Sequence, residues 1–177
     1  MFSVEIDPVS YKGLQADLQK YGKDAEKAVT TAVLKTALSI ETIAKQRLRG
    51  MFGSAKHWIT GRLASSLHYE MTGKNSFKGS KDSQPGDGKL NETVKQGEAI
   101  VGTNVDYAMP IEFGSRPHII TPKNAKVLAF KIGGKLVFAK KVNHPGFKGE
   151  SFLRYAAEVE DKKFAQRIEE ELNKLAK

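Results

Sequence analysis

The run Val127-Leu128-Ala129-Phe130-Lys131-Ile132-Gly133-Gly134-Lys135-Leu136-Val137-Phe138-Ala139-Lys140-Lys141-Val142 decides the fold class. Two β-prone stretches flank a Gly-Gly pair that can take positive φ, which marks a tight hairpin. A two-residue turn pairs Phe130 with Val137 and Leu128 with Ala139 on one face. The other face then carries Lys131 and Lys140 beside Leu136 and Phe138. Working outward, the segments at both ends of the chain read as helix. Ala25, Ala28, Val29, Ala32, Val33, Ala37, Ile40, Ile43, Ala44 and Leu48 recur at steps of three and four, which predicts a helix from Gly22 to Leu48. At 1.5 Å per residue it is about 40 Å long. Lys45, Arg47 and Arg49 suit its negative C-terminal end, and Gly50 is a natural stop. Leu153, Ala156, Ala157, Phe164, Ile168, Leu172 and Leu175 predict a second helix over Phe152–Leu175, with Ser151 as N-cap. Val4–Ile6, ended by Asp7-Pro8, and Ala99–Gly102 read as strands. Thr60-Gly61-Arg62-Leu63 opens a turn of helix that runs into a strand through Leu67 and Tyr69. The expected architecture is α+β: a small antiparallel sheet with a β-hairpin, packed against a long N-terminal helix and a C-terminal helix. One domain spans residues 1–177, with a mobile loop at 72–91 where Gly, Ser, Lys, Asp and Pro dominate.

Composition narrows the function. The 177 residues suit one domain with a proper core. The chain has no Cys, which excludes a disulfide scaffold, a Cys-ligated metal and a thiol nucleophile. No apolar run approaches the ~20 residues of a membrane span. The opening Met1-Phe2-Ser3-Val4-Glu5-Ile6-Asp7 lacks the basic and apolar regions of a signal peptide, so no export is expected. The 29 Lys+Arg against 20 Asp+Glu give a net charge of +9, which suggests an acidic partner such as nucleic acid. Of this excess, +5 lies in residues 92–149, while residues 150–177 are net −1. No run of five like charges marks a disordered basic arm.

A catalytic constellation is missing from the pattern. His57, His68, His118 and His144 lack His-Glu-x-x-His spacing. Asp106, Glu112 and His118 lie close enough in sequence to conceive a carboxylate–His site, although a hydrogen-bonding or surface His is the plainer reading. Glu41, isolated among Ala and Ile, reads as a carboxylate solvated at the edge of the stripe. No nucleophile elbow or phosphate-binding loop occurs, and Gly133-Gly134-Lys135 is a hairpin turn. Neither a cofactor nor a metal is expected, and the protein is read as no enzyme.

The densest block is Asp106-Tyr107-Ala108-Met109-Pro110-Ile111-Glu112-Phe113-Gly114-Ser115-Arg116-Pro117-His118. Gly114 permits positive φ, and Pro117 holds Arg116 extended. Together with Val101-Gly102-Thr103-Asn104-Val105 before it, this block resembles the tail-completion or head–tail joining proteins of long-tailed bacteriophages. So do Pro122-Lys123-Asn124-Ala125-Lys126, Val137–Val142, His144-Pro145-Gly146 and Ser151-Phe152-Leu153-Arg154 downstream. The Ala-rich helix followed by Thr60-Gly61-Arg62-Leu63 and Ser66 matches the family's opening. The ordered set covers most of the chain. Ser115 stands where Thr is usual, and segment 72–91 looks like a variable insertion to which nothing transfers.

The resemblance implies a non-enzymatic virion protein of the phage neck, made in the host cytoplasm. It implies a homo-oligomeric ring, commonly six-fold, compatible with a monomer in solution. The ring would join the tail-tube protein to a connector or stopper protein, with DNA passing through its channel and no membrane involved. Residues chosen for assembly are Tyr107, Glu112, Phe113, Gly114, Arg116, Pro117 and His118, then Lys131, Lys140 and Lys141, then His144, Pro145, Phe152 and Arg154. Tyr107, Phe113, Phe152 and Leu153 also suit plain core packing, and the three lysines a solvated strand face. A basic nucleic-acid-binding protein is the alternative.

Overall fold

A computed structural model describes residues 2–5, 22–52, 61–90 and 93–175. Ile6, Asp7, Pro8, His57, Thr60 and the last position of segment 72–91 lie outside them. The fold is α+β, a long helix and a C-terminal helix with small antiparallel sheets. Helix α1 runs Lys23–Phe52, and α2 is the short Gly61–Ser66. Strands β1 (Phe2–Glu5), β2 (His68–Met71), β3 (Lys74–Asn75) and β4 (Ala99–Thr103) form one sheet in the order β1-β4-β2-β3. Every pairing in it is antiparallel, with Val4 opposite Val101 and Tyr69 opposite Val101 from the other side. A short helix α3 spans Ala108–Phe113, and α4 spans Phe152–Asn173.

The apolar stripe predicted for α1 is the core. Ala25, Val29, Val33, Ala37, Ile40, Ala44 and Leu48 are buried with Leu63, Leu67, Val101, Phe152, Leu153 and Ala156. The small alanines let α4 and β4 approach α1 closely, while Leu and Val burial supplies roughly 1.5–3 kcal/mol per side chain. Strand β4 is buried along its whole length, so it is the central strand both by pairing and by packing.

Two details of α1 differ from the sequence reading. The helix continues through Gly50, which keeps a right-handed φ. A glycine stops a helix only where the chain takes up its left-handed option. Glu41 is buried rather than solvated. Its carboxylate accepts from Lys45 Nζ at 2.5 Å and from the Ser76 hydroxyl at 2.6 Å. Burial, with the Glu41 charge nearby, pushes the Tyr69 phenol up from its ordinary pKa.

Residues 72–90 of the segment expected as a mobile loop make several contacts with the rest of the chain. Asp87 is buried and takes a two-pronged contact from Arg62, Nε at 2.8 Å and Nη2 at 2.7 Å. Gln84 N–H adds a third bond to the same carboxylate at 2.8 Å. These donors hold Asp87 below the ordinary carboxylate pKa, with the Arg62 bond the main cause. Leu90 is buried, and its N–H donates to Glu70 at 3.0 Å. Phe77 meets the buried His68 ring edge-on, 5.3 Å between centroids. Among the described residues no helix is long and apolar enough to cross a membrane.

Candidate assembly arm

The predicted hairpin is the outer end of a larger structure. Strands β7 (Leu128–Ile132) and β8 (Lys135–Ala139) pair as expected, Phe130 with Val137 and Leu128 with Ala139. Gly133 and Gly134 both take positive φ at the turn. Inside it, β6 (His118–Ile120) pairs with β9 (Val142–His144). Inside that, β5 (Gly114–Ser115) pairs with β10 (Phe147–Lys148). The three antiparallel pairs are nested, so residues 114–148 form one interrupted β-ribbon, here called the arm. Proline marks the interruptions, since Pro117, Pro122 and Pro145 have no N–H to donate to a ladder.

The root of the arm is closed by backbone. Gly114 has φ +84°, and a Cβ there would lie 2.5 Å from the Phe147 carbonyl oxygen. A Cβ on Gly149 would strike the Phe113 and Glu112 backbone, and one on Gly146 the Ser115 carbonyl. Only glycine permits this crossing. The root is then tied to the body. Glu150 N–H donates to the Ile111 carbonyl at 2.9 Å, and Ser151 N–H to the Glu112 carbonyl at 3.0 Å.

Glu112 completes the tie and corrects two expectations. Its side chain, 1% exposed, accepts from the backbone N–H of Leu153 at 3.0 Å and of Arg154 at 2.9 Å. A carboxylate from α3 thus caps α4, where free N–H groups and the helix dipole favour negative charge. Ser151 sits at the N-cap but makes no capping bond, and its φ of +48° is left-handed. Glu112 therefore belongs to the interior and not to an assembly surface. Phe152, fully buried in the core, is corrected in the same way.

The remaining chosen residues divide by place. Tyr107 is half-buried against the core. Phe113 is exposed, with the Arg154 guanidinium 5.7 Å from its ring centroid. Arg116, Pro117, Lys131, Lys140, Lys141 and Pro145 are exposed. His118 and His144 face each other across the β6–β9 pair with rings stacked at 4.9 Å. His118 Nδ1–H donates to the Arg116 carbonyl at 2.8 Å, whereas His144 Nδ1 accepts from Gly146 N–H at 3.1 Å. The two rings therefore hold different tautomers, assigned from these partners. A metal bound through both Nε2 atoms would force a proton onto His144 Nδ1, against the Gly146 N–H. Asp106, Glu112 and His118 do not converge either, and among the described residues no three His, Asp or Glu side chains could hold a metal ion.

Along the arm no residue from 113 to 151 is buried. Phe138 and Ile132 are each 62% exposed and Leu136 57%. Ile119, Ile120 and Phe147 are exposed as well. Leu136 and Phe138 lie with Lys131 on one face of the hairpin, opposite the half-buried Phe130 and Val137. Ile132 lies on the opposite face from Leu136 and Phe138, beside Phe130, and a two-stranded ribbon in water is marginally stable at best. The sequence reading missed the inner two pairs of strands because each is only two or three residues long. The signal was the near-symmetric placing of Gly114 and His118 against His144 and Gly149 about the Gly-Gly turn. No protein-family profile, curated protein or solved structure matches the chain.

Proposed function

We propose that this chain is a non-enzymatic structural protein of the bacteriophage head–tail neck, assembling through its arm. The ordered motifs of residues 101–118 and 122–154 support the reading. The observation that carries it is the arm itself: exposed Ile132, Leu136 and Phe138 held out on a root of three close-packed glycines. Such a ribbon gains little by folding alone and much by covering its exposed apolar side chains, Leu136 and Phe138 on one face and Ile132 on the other, with other protein chains. The partners are neighbouring copies in a ring, the tail-tube protein and a connector or stopper protein. Arg116, Pro117 and Pro145 at the stem and Phe113 at the root are exposed as well.

The test is complementation of a phage lacking the gene. Wild-type protein should restore joined particles in electron micrographs. Leu136→Ser/Phe138→Ser, which alters only exposed side chains, should leave heads and tails separate. Joined particles without the gene would overturn the reading, and joined particles with the double variant would remove the arm from it.

A further inference from the structure

The body and the arm treat charge in opposite ways. Residues 113–149 contain eight basic side chains, Arg116 and seven lysines, and no acidic one. The rest of the chain holds 21 basic and 20 acidic residues. Nearly the whole net charge of +9 therefore sits on the arm. In the body, Lys35, Lys45, Arg62 and Arg167 each bind a carboxylate. Among the described residues no ion pair involves a base of the arm. All eight arm bases are exposed, spread from the root to the tip. An uncompensated field of one sign along a narrow ribbon suits a partner that carries regularly spaced negative charge.

We infer that the arm binds nucleic acid through the phosphate backbone, without reading sequence. Lysines are suited to this as mobile point charges, and no Asn, Gln or Arg cluster on the tip offers base-edge recognition. A narrow two-stranded ribbon is also of a size that a nucleic-acid groove admits. An acidic protein would satisfy the same charges less regularly and is the competing outcome. The inference stands apart from the neck reading, since it concerns the isolated chain.

The experiment is titration of the full-length protein against a short mixed-sequence DNA duplex and a scrambled duplex of equal length, at several salt concentrations. Both duplexes should bind alike. If four phosphates are neutralised, the log–log slope is about −3.6, and affinity falls on the order of a hundredfold between about 50 and 200 mM salt. Two variants of equal charge change locate the effect. Lys140→Gln/Lys141→Gln on the arm should weaken binding on the order of tenfold and make the slope shallower, whereas Lys23→Gln/Lys162→Gln, on α1 and α4, should leave both nearly unchanged. All four lysines are exposed, so folding is not at stake, and circular dichroism confirms that. No binding at low salt overturns the inference. Equal loss in both variants also overturns it, because net charge alone would then explain binding. Discrimination between the two duplexes would overturn the non-specific mode.

Discussion

The α1–α4 body and the β-ribbon arm belong to one chain, yet they solve opposite problems. In the body, a core of apolar side chains is covered, and among the described residues each buried carboxylate has a cation or N–H partner: Glu41 with Lys45, Asp87 with Arg62, Glu112 with the start of α4, Glu160 with Arg167 and Lys163, Glu171 with Lys35 and Lys174. Such pairing is required because an unpaired buried charge costs several kcal/mol. In the arm, apolar groups face water and the charges are all of one sign. The body buries its core and pairs its buried charges, whereas the arm leaves its apolar groups and its charges exposed. What links them is a root of glycine backbone and one carboxylate.

The largest effect should come from deleting core volume. Leu153→Ala is expected to cost about 2–5 kcal/mol, while Phe138→Ala on the arm should cost under about 0.5 kcal/mol. Urea unfolding of the two variants measures the contrast. Similar losses would mean that the tip packs on the body, and would break the comparison.

Glu112→Ala comes next. It leaves the N–H groups of Leu153 and Arg154 unpaired in a buried place, for a loss of about 2–4 kcal/mol. Glu112→Gln keeps an acceptor but not the charge, and should lose less. Equal loss in both would make the dipole, and not the hydrogen bonds, the main term.

Gly114→Ala should act locally. Positive φ and the collision with the Phe147 carbonyl predict strain of about 1–3 kcal/mol. Amide hydrogen exchange should speed up across the arm, while β4 stays protected. If exchange rose equally in β4, the root would be part of the body's cooperative unit.

The smallest effect concerns pH. Asp87 has its pKa depressed in the folded state, chiefly by the Arg62 hydrogen bond. Its contribution is therefore present above the unfolded value of about 3.9 and is lost as pH falls through the lower folded value. Asp87→Asn should be less stable than wild type at about pH 7, and the gap should narrow at about pH 3. A constant gap would show that packing, and not charge, anchors the 72–90 segment.

Local patterns made some features legible and left others hidden. Helix α1 and the β7–β8 register could be read because apolar spacing and a Gly-Gly turn are short-range signals. Gly50 misled because a stop signal is a permission that the surrounding packing leaves unused. Ser151 marked the right place for the start of α4, but Glu112, far earlier in the chain, does the capping. The nested β6–β9 and β5–β10 pairs were hidden because two or three residues carry no periodicity.

The sequence by itself determined the α+β class, the core stripe of α1, the hairpin tip and the amount of positive charge, since each depends on neighbours along the chain. The tertiary structure alone decided that Glu112 and Phe152 face inward and Phe138 outward. It also decided that Asp87 meets Arg62, and that almost all the charge stands on a ribbon apart from the core. Those outcomes depend on which distant segments meet, and burial and electrostatic pairing are set only when they do.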